Sequence, residues 1–185
     1  MWREVEITIR KFERSDISRK IEWINNSKNN QFLHYDIPLS TEKTERWFDS
    51  HTGEATRYDA VIEADGVPVG IIGLLNIDYK SSKAEYYITL GETFFRGKGV
   101  AKQASKLILK YGFEELELNR IYLFTEIGNI SAQKLFEKVG FIREGLLRQD
   151  VFSHGEYADR YAYGYLKKDW EKISHNDDNS KSGRI

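Results

Sequence analysis

Hydrophobic residues change period along the chain, and each change marks an element. In "VEITIRKF" Val5, Ile7 and Ile9 alternate with charged or hydroxyl residues, which predicts a strand. "SDISRKIEWINNS" begins at a Ser/Asp cap and carries Ile17, Ile21 and Ile24 at helical spacing. "LSTEKTERWFDSH" opens with Ser40 or Thr41 as a cap, holds Trp47 and Phe48 near its end, and predicts a second helix. Between them "KNNQFLHYDIP" reads as a polar and aromatic loop closed by Pro38. "RYDAVIEA" and "VPVGIIGLLNID" are β-rich and meet at Asp65-Gly66, a hairpin signal; "SSKAEYYITL" is a third run. In "FFRGKGVAKQASKLILKYGF" the front is glycine-rich and basic. The back is a helix with Val100, Ala101, Ala104, Leu107, Ile108 and Tyr111 on one face. "NRIYLFTEI" returns to period two. "NISAQKLFEKVGF" is a short helix capped by Asn129, with Leu135, Phe136 and Val139 inward and Gly140 as its stop. "FIREGLLRQDVF" and "EYADRYAYGYL" are two strands around the "SHGE" turn.

The order β-α-α-β-β-β-α-β-α-β-β, without repeat or linker, predicts one α/β domain over residues 1–172, its mixed, mostly antiparallel sheet having about seven strands. Residues 173–185 are polar and expected to be a disordered tail.

Composition narrows the function classes. At 185 residues, 40% hydrophobic and 31% charged, the chain matches an ordinary globular domain large enough to bury a core. A net charge of -1 argues against a nucleic-acid partner, which a basic face usually recruits. The chain has no cysteine, so disulfides, Cys–Zn sites and a thiol nucleophile are excluded. His34, His51, His154 and His175 show no metal-ligand spacing, and no metal is expected. "MWREVEITIR" has charges where a signal peptide needs an apolar run, and "VGIIGLLNI" is too short to cross a bilayer. A cytoplasmic protein with no membrane partner is expected.

Gly97 and Gly99 fall at the predicted strand-to-helix junction. Helix starts leave backbone N–H groups unpaired, glycine lets a ligand approach them, and the helix dipole favours an anion. Arg96 and Lys98 add positive charge. A Walker A loop is excluded because Lys98 is followed by Gly99 and no Ser or Thr can hold Mg²⁺. A Rossmann fingerprint is excluded because Lys102 stands where the third glycine belongs. Two readings stay open on these residues: an anion site, or glycines used only for turning.

The neighbours add a resemblance. Arg96-Gly97-Lys98-Gly99-Val100-Ala101 resembles motif A of the GNAT acetyltransferases, R/Q-x-x-G-x-G/A. "AEYYITL" resembles the strand before that motif. "GNISAQKLFEKVGF" resembles the family's N-x-x-A/S…L-Y/F-E-K-x-G-F helix. "FIREGLLRQDVFSHGEYADRYAYGYLKKDW" resembles the closing hairpin of the RimJ/RimL-like branch. The likeness runs over nearly all of residues 3–170, in family order.

The resemblance implies a GNAT fold, with the sheet splayed at the CoA site and about four flanking helices. It implies acetyl-CoA as cosubstrate and transfer of its acetyl group to a primary amine by direct attack in a ternary complex. Backbone amides of Arg96, Gly97, Lys98, Gly99, Val100 and Ala101 would cradle the pyrophosphate. Ile88, Thr89 and Leu90 would pair with the pantetheine arm, Asn129 would contact it, and Phe136 would pack on it or lie in the core. Dimers are common in the family, so a homodimer is a candidate state.

The chemistry sets further expectations. A lysine-like amine has a pKa of about 10.4, so a base or water must take its proton. By the resemblance, Glu85 occupies the glutamate of the family's A-E-I-G-Y-like strand near the splay; it shares a strand face with Tyr87 and Thr89 and is the leading base candidate, and Glu126, ending the strand before the Asn129 helix, is the second. A backbone N–H near Leu90 would serve as oxyanion donor. Many family members carry a tyrosine that protonates the leaving thiolate, but that position here is Phe136. Ser131, Tyr87 or water could substitute, or the thiolate could leave unprotonated. The acceptor, such as an amino sugar, a polyamine or a protein N-terminus, would meet Trp23, Phe32, His34, Tyr35, Tyr87 and Asp150. For Trp23 the alternative is plain core. Phe136 also motivates a second class, a non-catalytic acyl-CoA-binding or sensing module.

Overall fold

The computed structural model describes residues 5–173. The expected polar tail lies outside the described residues except for Ile173, part of a helical segment over 167–173. The strands are β1 (Ile7–Lys11), β2 (Tyr58–Ala64), β3 (Val67–Asp78), β4 (Lys83–Leu90), β5 (Arg120–Glu126), β6 (Ile142–Ser153) and β7 (Glu156–Leu166). The helices are α1 (Ile17–Asn25), α2 (Thr41–His51), α3 (Val100–Lys110) and α4 (Ile130–Val139). The strands form one seven-stranded sheet in the order β1-β2-β3-β4-β5-β7-β6. Every pair is antiparallel except β4–β5, which the α3 crossover makes parallel.

Both faces of the sheet are covered. α3 and α4 bury Val100, Ile108, Leu109, Phe136 and Val139 against one face. α1 and α2 cover the other, with Ile17, Trp23 and Ile24 set against Val61 and Ile71. On α3 the fully buried stripe is Val100, Ala104, Ser105, Ile108 and Leu109, while Ala101 and Leu107 are half-buried. The expected stripe is thus rotated toward Ser105. That hydroxyl is tolerated because it donates to Ala101 O at 2.6 Å and meets Tyr86 Oη at 2.7 Å. Ser40 caps α2, its Oγ accepting from Lys43 N–H.

The seam between β4 and β5 positions the site. Pairing covers only Lys83↔Arg120, Ala84↔Ile121 and Glu85↔Tyr122. Beyond Glu85 the strands part: β4 stays paired with β3 up to Leu90, and β5 stays paired with β7 up to Glu126. The sheet therefore opens as a V toward the loop that precedes α3.

Candidate active site

Past β4, a 3₁₀ turn over Thr93–Phe95 leads to the glycine loop. Gly97 and Gly99 have φ of 75° and 81°, left-handed values that disfavour a side chain. A Cβ built on either would meet no atom within 4 Å, so the space in front of both is open. Gly99 is the N-cap of α3 and supplies no side-chain cap; the first α-helical bond runs from Gln103 N–H to Gly99 O. The opening amides of α3 thus face an open hollow, the geometry that holds an anion. Lys98 Nζ lies 3.1 Å from the centroid of the Phe94 ring, beside the hollow. The Arg96 side chain turns away, donating to Lys28 O (3.1 Å) and Asn29 Oδ1 (2.6 Å); only its backbone remains for the cradle.

The wall of the V is backbone. Gly91 N–H donates to Val69 O, and a Cβ on Gly70 would lie 2.4 Å from Thr89 O, so the backbone of Thr89 and the N–H of Gly91 face β3. By strand alternation, Ile88 and Leu90 direct theirs into the V. Buried peptide groups require partners, and these can pair with the amides of a pantetheine arm. Asn129 caps α4, its Oδ1 accepting from Ala132 N–H (3.2 Å) and Ser131 Oγ (3.3 Å). Its Nδ2 donates to no group among the described residues and is available to a ligand. Open glycine loop, free strand backbone and Asn129 together fit CoA. Phe136 is 7% exposed, edge-to-face with Tyr86 and close to Phe141 and Tyr163, so it supports the V from within the core.

The two carboxylates stand at different depths. Glu85 lies at the closed end, where its Oε2 accepts from Asn76 Nδ2 at 3.0 Å. Glu126, four residues past Tyr122 and so level with Thr89, lies at the open end about 13 Å further along. Its Oε1 is 2.6 Å from Nε2 of His34, brought in by the loop between α1 and α2. Sequence named both residues for separate reasons; the fold joins them. Their side chains are 13% and 30% exposed, so the pair reaches solvent through His34.

The remaining acceptor candidates divide. Trp23 is 2% exposed, its Nε1 donating to Glu92 Oε1 at 2.9 Å, and belongs to the core. Tyr35 packs in the α1/α2 core, where burial raises its hydroxyl to about 12. Tyr87 donates to Asp59 Oδ1 at 2.6 Å; burial, reinforced by the Asp59 charge, pushes its hydroxyl well above the ordinary value. It stays a protonated structural donor. Asp150 is paired with Arg160, whose Nε is 2.6 Å from Oδ2. Phe32 packs over Gly128, where a Cβ would lie 3.5 Å from its ring.

Sequence reasoning missed the network behind Tyr87. Arg57 grips Asp59 through Nε and an NH2 group at 2.7 and 3.0 Å. Burial alone would raise the Asp59 carboxyl, but the bonds from Arg57 and Tyr87 outweigh it and hold it below its ordinary range. Lys20 is buried with Nζ 3.1 Å from the Trp47 ring centroid, and burial brings it down to about 7 against the pull of Asp59. Arg57 and Asp59 alternate on one strand face, a signal that was readable. Lys20 carried none. A cavity of about 300 Å³, lined by Trp47, His51, Arg57, Asp59 and Tyr111 among others, lies at the end of the sheet away from the glycine loop.

Comparison with known proteins agrees with this geometry. The family model described as acetyltransferase (GNAT) domain matches residues 6–142. YdaF of Bacillus subtilis, whose name proposes a ribosomal N-acetyltransferase, is 32% identical over 173 residues, covering 89% of this chain and 93% of its own. Spermidine N(1)-acetyltransferase of Vibrio cholerae is 32% identical over 156 residues, covering 83% and 89%. The crystal structure of spermidine N-acetyltransferase from Vibrio cholerae in complex with CoA and spermine superposes with a TM-score of 0.83 at 27% identity, covering 89% of this chain and 97% of that one. With motif, V-shaped seam and relatives in agreement, this chain belongs to the GNAT family and is an N-acetyltransferase that carries an acetyl group from acetyl-CoA to an amine.

Proposed function

We infer that the Glu126–His34 pair accepts the proton of the incoming amine and that Leu90 N–H is the oxyanion donor. The 2.6 Å contact at the open end of the V, level with the strand backbone that faces the cleft, carries this reading. Acetyl-CoA supplies the thioester when bound. Glu85, half-buried at the closed end and engaged with Asn76, is the lesser candidate. Phe136 offers no proton, and a thiolate, being a weak base, leaves without one. Direct attack in a ternary complex needs no nucleophilic side chain.

The acceptor in this proposal is a small primary amine, with spermidine the first to test because several relatives are named for it. A protein N-terminus is the second, favoured by the likeness to YdaF. The closing hairpin supports the RimJ/RimL-like branch, and the dependence on acetyl-CoA supports a cytoplasmic setting. Ile142, Leu146 and Phe152 on β6 and Tyr157 on β7, all exposed, support a homodimer through that hairpin. Turnover with spermidine, measured against pH for Glu126→Gln and Glu85→Gln, tests the assignment. Glu126→Gln should lose most near neutrality and recover toward pH ~10, where amines shed protons unaided. If Glu85→Gln shows that profile instead, the base is Glu85.

A further inference from the structure

The loop after α1 crosses the mouth of the V from one wall to the other. At the β4 wall, Asn29 Nδ2 donates to Trp23 O (3.0 Å) at the end of α1 and to Gly91 O (2.9 Å) just past β4. Its Oδ1 accepts from the Arg96 guanidinium (2.6 Å), which extends from the glycine loop. One side chain therefore joins a helix end, a strand end and the loop that faces the pyrophosphate. Trp23 reinforces the joint: its ring fills the space beside Gly91, and its indole N–H holds Glu92. From Asn29 the chain continues through short turns, with Asn29 and Asn30 N–H donating to Asn26 O and Leu33 N–H to Asn30 O. It reaches the β5 wall at once, Phe32 against Gly128 and His34 against Glu126.

We propose that Asn29 is a positioning residue that couples CoA binding to the placement of His34. Ligand at the glycine loop fixes Arg96 and Gly91; Asn29 passes that constraint into the turns over 26–33; His34 is then held on Glu126 when the amine arrives. The strap has no other polar tie to the β4 wall among the described residues than Asn29 and the Arg96–Lys28 O bond. Binding of CoA and ordering of the acceptor side are thus linked, with coupling on the order of tenfold. The catalytic consequence rests on the Glu126–His34 reading; the mechanical coupling does not.

Hydrogen–deuterium exchange with CoA as the probe separates the two. In the wild-type chain, saturating CoA should slow exchange over 30–37 roughly tenfold, besides protecting the start of α3. In Asn29→Ala the protection over α3 should remain while the CoA-dependent gain over 30–37 is lost. Asn29→Asp, which keeps the shape and the Arg96 contact but loses both amide donors, should show the same loss and covers the case in which the alanine variant fails to fold. A merely structural asparagine would change exchange equally with and without CoA. Full CoA-dependent protection over 30–37 in the variants, or none in the wild type, overturns the coupling. Unchanged turnover in Glu126→Gln would instead remove the proton-acceptor assignment and leave the exchange result standing.

Discussion

Replacing Gly99 by aspartate separates what the glycine loop does for the fold from what it does for the ligand. Gly99 has φ 81° and ψ −2°, and a Cβ there meets no atom within 4 Å. The protein itself loses only the comfort of glycine in a left-handed conformation, about 1 kcal/mol. In a chain of this size that lowers Tm by roughly 2–4 °C. The ligand loses far more. A carboxylate about 5 Å from a phosphate charge, at an effective dielectric of about 20, is repelled by about 3 kcal/mol. The added methylene also fills space that phosphate oxygens need. Calorimetry should show the Kd for CoA raised ~100-fold or more. Gly53→Asp is the matched control: φ is 79°, its Cβ also meets nothing within 4 Å, and it follows α2 on the far side from the loop. It should cost the same stability and leave CoA affinity alone. A folded Gly99→Asp chain that binds CoA like wild type would refute the loop assignment, as would equal weakening in Gly53→Asp.

Lys20, brought down to about 7 by burial, holds fewer protons in the native state than the ordinary lysine of the unfolded chain, at about 10.4. Stability should therefore rise between pH ~7 and pH ~10 by up to about 1.4 kcal/mol per pH unit, and this contribution should be lost and level off below pH ~7, where both states are protonated. Denaturant titrations of Lys20→Met across this window should lack that component; parallel slopes would show that Lys20 stays charged over Trp47. Gly91→Ala would place a Cβ 2.1 Å from Trp23 Cγ, in a ring that is fully enclosed. It should cost about 1–3 kcal/mol and a matching drop in Tm by calorimetry, and an unchanged Tm would contradict the close packing of α1 on the end of β4.

Much of the architecture was legible because it depends on period and punctuation. The alternation in "VEITIRKF" and the Asp65-Gly66 turn require only near neighbours, and both elements form where expected. The mixed sheet was legible too, and the strand–helix–strand order around "FFRGKGVAKQ" is what makes its β4–β5 pair parallel. The opening of that pair after Glu85 has no mark in the sequence, because Tyr86 through Leu90 alternate as a paired strand would. The motif resemblance, rather than the periodicity, pointed to it. His34 and Glu126 were each visible as a loop histidine and a strand-end carboxylate, but 92 positions separate them, and only the crossing of the α1–α2 loop brings them together. Asn29 sat unremarked in "NNSKNNQ" because a side chain that satisfies backbone carbonyls leaves no pattern of charge or hydrophobicity.

Acetyl transfer to an amine is measured most directly by thiol release from acetyl-CoA, with mass spectrometry of the amine product, across spermidine, spermine, amino sugars and peptides with free N-termini. The expected result is thiol and acetylated amine in equal amounts with at least one of them, strongly reduced in Glu126→Gln near neutral pH. Tight CoA binding with no thiol release for any amine would contradict it, and would mark the chain as a CoA-binding module in which Phe136 and the V-shaped seam serve binding alone.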